Sequence, residues 1–171
     1  MFKPLIASLA ATLIASPVLA TNVDPAHFEL GQTIASTGVD LKINPASCFQ
    51  QEKALGWYWA RKNELVICQE NAYRPNTEVL WTAEDFDTLR HEAQHLVQDC
   101  MDGARQGSLE SVYQEPVRLG KEVLGNAAMQ RIARAYADRG DHIIVMEIEA
   151  FAVAQLNQPR EQTADIKTYC F

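Results

Sequence analysis

The stretch TAEDFDTLRHEAQHLVQDC, residues 82–100, decides how the rest of the chain is organised. The hydroxyl of Thr82 can cap the exposed N–H groups of a helix, and Asp85 stands three residues on, at the position of the acid in a capping box. Apolar residues then recur at helical spacing and predict a core-facing surface: Phe86, Leu89, Ala93, Leu96 and Cys100. The sequence therefore predicts a helix that begins after Thr82 and stops near Gly103.

The segments around this helix predict a mainly helical α+β fold with a small sheet before the helix. Residues 47–60 end in Gly56-Trp57-Tyr58-Trp59, and after a polar turn the β-prone run 64–68 follows, which indicates a hairpin or two neighbouring strands. Further helices are predicted for residues 122–138 and 141–157, the last capped by Asp141 and ended by Pro159. Residues 21–45 show no strong period.

Length and charge restrict the function classes. A chain of 171 residues with 47% apolar residues suits one domain with a real core. The formal charge is −7, with 15 Lys and Arg against 22 Asp and Glu. An acidic chain without a basic cluster is a poor binder of nucleic acid or of anionic membrane surfaces.

The first 20 residues, MFKPLIASLAATLIASPVLA, resemble a cleaved secretory signal. Lys3 supplies the positive start, an apolar stretch follows, and the segment ends in Val18-Leu19-Ala20. The alternative is a membrane anchor, but the apolar core is short and interrupted by Ser16 and Pro17. We therefore expect a mature domain at residues 21–171, with a charge of about −8, no stable membrane anchor and a secreted or periplasmic location.

Because we expect the chain to be exported, we interpret its four cysteines, all of which lie after residue 20, as disulfide partners. An even number in an exported chain predicts two disulfides, for which three pairings exist. We favour Cys48 with Cys68, which closes the hairpin region, and Cys100 with Cys170, which ties the C-terminal tail to the end of the helix.

The predicted helix contains His91-Glu92-Ala93-Gln94-His95, the pattern H-E-x-x-H. Residues four apart on a helix project from one face, so both imidazoles can bind one Zn²⁺ ion. Glu92 lies at the flank of that face, where it suits a general base that accepts a proton from a zinc-activated water. The alternative is a chance match on a solvated helix.

A third ligand must come from elsewhere, and the predicted helix 141–157 offers Glu147 and Glu149. On a helical wheel Glu147 falls in the middle of the apolar face, where a buried carboxylate needs a cation. Glu149 lies nearer the other side and is expected to meet solvent or to support a ligand. The alternative for Glu147 is a buried salt bridge to Arg131 or Arg134.

The motif together with Glu147-x-x-Ala150 resembles the gluzincin zinc metallopeptidases, and more closely their small members. The resemblance implies zinc ligation by His91, His95 and Glu147, Glu92 as the general base, and a peptide or protein substrate. It also implies a strand before the motif helix whose edge pairs with the substrate, a role that the run 64–68 has the right order to fill. In one related group an Asp often follows the E-x-x-A pattern, whereas this chain has Phe151 at that position.

The sequence does not decide which residue orients the imidazoles or which one stabilises the oxyanion. Asp99 lies four residues after His95, where it can orient an imidazole or be solvated in the last turn. Candidates for the donor to a tetrahedral oxyanion are Tyr113, Tyr136 and His142.

Three functions fit these features. The first is an exported zinc endopeptidase. The others are a non-catalytic binding module on the same scaffold and a zinc hydrolase of another substrate. Glu92 favours catalysis, because a purely structural zinc site needs no base.

Overall fold

A computed structural model describes residues 24–50, 54–73, 79–101, 103, 105 and 107–171. The predicted signal at residues 1–20 lies outside them. The described residues contain six α-helices and three strands, in the order α1 Ala26–Ser36, β1 Asp40–Ile43, β2 Gly56–Trp59, β3 Glu64–Ile67, α2 Ala83–Cys100, α3 Pro116–Val123, α4 Gly125–Ala135, α5 Asp141–Leu156 and α6 Pro159–Tyr169. The predicted α+β class, mainly helical with a small sheet before the motif helix, is confirmed.

The three strands form one sheet in the order β1-β3-β2. β2 and β3 form the predicted antiparallel hairpin, and β1 pairs with β3 in parallel. The expectation that the run 64–68 supplies a free edge is wrong, because β3 is the central strand. Its residues Leu65, Val66 and Ile67 are fully buried, as an uninterrupted apolar run in a central strand should be. β1 and β2 form the edges, and β2 packs against α2.

Helix α2 begins where the sequence predicts. The Oγ1 atom of Thr82 accepts a hydrogen bond from the backbone N–H of Asp85 (3.2 Å), and Asp85 Oδ2 accepts one from the N–H of Thr82 (2.7 Å), which completes a capping box. The other oxygen of Asp85 accepts the N–H of Glu70 (3.0 Å), so the cap also fastens the preceding segment. Every residue of α2 from His91 to Cys100 is buried.

The main core lies between α1, β3, α2 and α6. The sequence did not predict α1, because residues 21–45 lack a strong apolar period. It also did not predict α6, since Pro159 stands at the first turn of a new helix, where its missing N–H costs nothing. The helix expected at 122–138 is divided between α3 and α4, and Gly125 takes a positive φ of 76° where α4 begins.

Helix α5 forms as expected but is not capped by Asp141. Gly140 occupies the cap position and Asp141 is the first helical residue. The helix packs mainly on α2 and α3.

Both predicted disulfides are present, Cys48–Cys68 and Cys100–Cys170. The first joins a 3-10 turn at Ala46–Phe49 to the residue after β3, and the second joins the end of α2 to the tail after α6. Two disulfides are compatible with an oxidising location. Within the described ranges no helix has the length and apolarity needed to cross a bilayer.

Gly120 controls how closely α3 approaches α5. A Cβ atom at Gly120 would overlap Cγ2 of the buried Ile148. We therefore expect Gly120→Ala to lower the free energy of unfolding by about 1–3 kcal/mol, because overpacking forces the helices apart. Denaturant titration measures this change.

The matched control is Gly31→Ala in α1, where the new Cβ would lie at an ordinary 3.6 Å from Leu41 Cδ2. This variant should gain about 0.5–1 kcal/mol from helix propensity. Equal stabilities for the two variants would contradict the close approach of α3 and α5.

Candidate metal centre

Helices α2 and α5 bring His91, His95 and Glu147 into one buried cluster. The Nε2 atoms of the two histidines lie 3.1 Å apart. Oε2 of Glu147 lies 3.3 Å from Nε2 of His91, and Oε1 lies 3.6 Å from Nε2 of His95. The three side chains chosen from the helical spacing and the helical wheel therefore point at one another. The alternative partners of Glu147, Arg131 and Arg134, make no described ion pair with it.

The cluster fits a metal ion in both spacing and chemistry. Donor atoms bound at about 2.1 Å to one tetrahedral ion are about 3.4 Å apart, which the three separations bracket. Oε2 of Glu147 and Nδ1 of His91 are also buried without a hydrogen-bond partner among the described residues. A buried oxygen without a donor is costly, and a cation bound between the side chains removes that cost at Glu147. Two imidazoles and one carboxylate can thus hold a metal ion.

The charges within the cluster favour a bound cation, because Glu147 is ionised and attracts positive charge to its neighbours. Burial disfavours ionisation of Glu147, but the two imidazoles outweigh burial and hold the pKa of that carboxyl well below its usual range. Burial likewise disfavours the charged form of His95, yet the adjacent Glu147 outweighs it and raises the pKa of His95 to about 9. A metal ion that binds here must displace this proton.

Glu92 lies beside the cluster but outside the triad. Its side chain is buried, with the residue 6% exposed, and the carboxylate lies near the backbone N–H of Tyr58 in β2. Burial raises the pKa of Glu92, although the nearby imidazoles and the Tyr58 N–H oppose that shift. A carboxylate with a raised pKa is a better proton acceptor than an ordinary one.

One member of the cluster, His91, lines a cleft of about 510 Å³, which is within the range of small-molecule and substrate sites. Its walls include Leu55, Gly56, His91, Glu92, Tyr136 and Phe151. The ring of Phe151 packs on His91 with centroids 4.2 Å apart, so this side chain meets the imidazole by ring contact.

Only one of the three candidate oxyanion donors lines this cleft. Burial and the nearby carboxylate of Glu147 raise the pKa of Tyr136, so its hydroxyl keeps its proton and can donate a hydrogen bond. Tyr113 accepts a hydrogen bond from Asn157, and His142 is exposed and bonded to the carbonyl of Leu109. Neither belongs to the cleft walls.

The expectations for Asp99 and Glu149 need correction. Asp99 is fully buried and orients no imidazole; it accepts hydrogen bonds from the Tyr58 hydroxyl and the Gly107 N–H, each at 2.8 Å. Glu149 is also fully buried, so of its two expected roles the contact with solvent is wrong, and support of a ligand stays a prediction. The imidazole partner is Gln98, whose Oε1 lies 2.8 Å from Nδ1 of His95.

Sequence reasoning missed Gln98, although a signal for it existed. It stands three residues after His95 and therefore on the same face of α2 as the ligands. The contact of Glu92 with the Tyr58 backbone had no sequence signal, because any residue can supply a main-chain N–H.

Comparison with protein families gives one match. Residues 19–171 match the family described as Domain of unknown function (DUF8637). The chain belongs to this family. Comparisons with curated proteins and with solved structures return no match.

The triad leads to a direct prediction about metal binding. Purified protein should bind about one Zn²⁺ per chain, and His91→Ala, His95→Ala or Glu147→Ala should each abolish stoichiometric binding, because two ligands alone hold the ion weakly. Elemental analysis after dialysis measures the occupancy. The control is His142→Ala, which removes an exposed histidine and should leave occupancy unchanged. Full occupancy in Glu147→Ala would exclude that residue as a ligand.

Proposed function

We propose that this protein is an exported zinc-dependent metallopeptidase that hydrolyses peptide bonds with Glu92 as the general base. One observation carries the proposal. His91, one of three converging donors with His95 and Glu147, lines an open cleft together with Glu92, a fourth buried group that lies outside the triad. A site built only to stabilise the fold has no use for that extra carboxylate or for an open cleft.

The metal supplies Lewis acidity when bound: zinc lowers the pKa of a coordinated water to near neutrality and polarises a carbonyl. The chain supplies the remaining functions. Glu92 accepts the proton from the attacking water at its carboxylate and can pass that proton to the leaving amine. Tyr136 donates its O–H hydrogen bond to the oxygen on which negative charge develops.

The edge of β2 is suited to hold an extended peptide. The carbonyl of Leu55 accepts a hydrogen bond from the N–H of Cys68, so Leu55 faces β3. Backbone groups alternate along a strand, and those of Gly56 therefore point away from β3, towards the cleft that Gly56 lines. A peptide strand added at this edge would run past His91 and Glu92.

An exported location belongs to the same proposal. The pattern of residues 1–20 and the two disulfides support secretion or transfer to a periplasm.

Glu92→Gln separates an enzyme from a binding module. The amide keeps the shape of the side chain and removes its basicity, so Zn²⁺ content and fold should stay nearly unchanged. The cleavage rate on a peptide library should fall by about 10²–10⁴-fold. Glu122→Gln, which neutralises an exposed carboxylate on α3, is the control and should retain full activity.

The outcomes of that experiment decide between the functions. Equal cleavage by the wild type and Glu92→Gln would show that the mechanism is wrong. If neither form cleaves any peptide and both bind the same one, the binding-module hypothesis replaces the enzyme hypothesis.

Tyr136→Phe tests the oxyanion donor separately. The variant removes one hydroxyl from the cleft wall and leaves all three metal ligands in place. We expect kcat to fall by about 10²–10³-fold with little change in KM, because the hydrogen bond forms only as charge develops. A matched control is Tyr113→Phe, whose hydroxyl lies outside the cleft. A variant Tyr136→Phe with wild-type kcat would assign the donor to another group.

A further inference from the structure

The imidazole of His95 is held by a chain of buried hydrogen bonds that reaches away from the cleft. Oε1 of Gln98 lies 2.8 Å from Nδ1 of His95. Nε2 of the same amide donates to the carbonyl oxygen of Met146 and to Oε1 of Glu149, each at 3.0 Å. Gln98 and Glu149 are both fully buried, so water does not compete for these contacts.

The partners of Gln98 determine which way its amide points. A backbone carbonyl such as that of Met146 can only accept, so the amide group that faces it must be the NH₂ end. Glu149 is likewise an acceptor, because the backbone N–H groups of Val112 (3.1 Å) and Tyr113 (3.2 Å) and the hydroxyl of Ser111 donate to it. The oxygen end of Gln98 therefore faces His95.

The direction of the amide in turn fixes the tautomer of His95. An oxygen acceptor at Nδ1 requires the N–H at Nδ1, and a neutral imidazole carries only one N–H. In the neutral, metal-binding form of His95 the lone pair is then on Nε2, the atom that lies 3.1 Å from Nε2 of His91 and 3.6 Å from Glu147.

We propose that Gln98 is a positioning residue that holds His95 in the metal-binding tautomer, and that Glu149 acts through Gln98 without touching the metal. The proposal rests on the proposed metal site and adds the residues that prepare it. Outer partners of this kind typically change metal affinity by about 10–100-fold when they are removed.

Gln94 provides a matched control one helical turn earlier. Its Nε2 donates to the same oxygen of Glu149 (3.1 Å), and it is as deeply buried as Gln98. Its Oε1 has no hydrogen-bond partner among the described residues, so no imidazole depends on it. If the network around Glu149 had only a structural role, replacing either glutamine should change the Zn²⁺ affinity by the same factor.

The experiment compares Gln98→Met with Gln94→Met, since Met preserves the volume and removes the amide. Competition with a chelator at fixed pH gives the Kd for Zn²⁺, and thermal unfolding of the metal-free proteins gives their relative stability. We expect Gln98→Met to weaken Zn²⁺ binding by about 10–100-fold and Gln94→Met by no more than about threefold, at similar losses of stability. Equal affinities of the two variants would overturn the proposal.

A second measurement needs no variant and stands even where Gln98→Met does not fold. Long-range ¹H–¹⁵N spectra of the zinc-loaded wild type should show His95 protonated at Nδ1, with that proton in slow exchange. Zinc coordination through Nδ1 of His95 would overturn the proposal.

The two proposals fail in different ways. A wild type that binds Zn²⁺ and cleaves no peptide removes the enzymatic function, whereas the affinity difference between the glutamine variants still supports the role of Gln98. A wild type that binds no Zn²⁺ overturns both.

Discussion

The burial of the second half of α2 is the constraint on which the rest of the structure depends. Ten consecutive residues are buried there, and six of them are polar: His91, Glu92, Gln94, His95, Gln98 and Asp99. Each polar group loses water and must find a partner in the protein, or the fold loses several kcal/mol per group. Partners come from β2, from α5 and from the segment that precedes α3, which explains why these parts pack around a single helix.

Glu147 and Glu149 show how two buried carboxylates on one helix acquire opposite roles. Five donors surround Glu149 (the amides of Gln94 and Gln98, the hydroxyl of Ser111 and two backbone N–H groups), so its charge is satisfied by dipoles. Glu147 faces two imidazoles and the hydroxyl of Tyr136 instead. Full solvation by donors leaves no need for a cation, whereas a neutral imidazole offers a carboxylate at most one N–H donor, and two imidazoles compensate it better by carrying charge or by sharing a metal ion with it. The difference arises from position on the helix, since residues two apart point to nearly opposite sides.

The sequence predicts most reliably what is local. The capping box at Thr82, the convergence of His91 and His95, and the apolar position of Glu147 all depend on helix geometry within one element, and the structure agrees with each. The disulfide pairs were one choice among three. Predictions that depend on neighbours failed more often: the run 64–68 was given an edge position, and Asp99 was expected either beside an imidazole or in solvent, whereas it is buried and bonded to neither. Helical spacing shows which residues share a face of the helix, but it does not show their partners on other elements. The packing of β2 places the hydroxyl of Tyr58 where it donates to Asp99, and the imidazole of His95 is bonded to Gln98 instead.

Strand β2 links this buried polar helix to the cleft. The backbone N–H of Tyr58 lies near Glu92, and its hydroxyl donates a hydrogen bond to Asp99 two turns later on α2, so one residue of the strand meets the helix at two positions. The approach is so close that a Cβ atom at Gly56 would lie 2.7 Å from Cγ2 of Thr88 and 3.3 Å from Cγ of Glu92, and also 2.7 Å from the backbone oxygen of Val66 in β3. Glycine is therefore required by the distance to β3 and by the distance between strand and helix, rather than by its backbone freedom. Because the same distance sets the position of the Glu92 carboxylate and the width of the cleft, a side chain at position 56 would disturb both together.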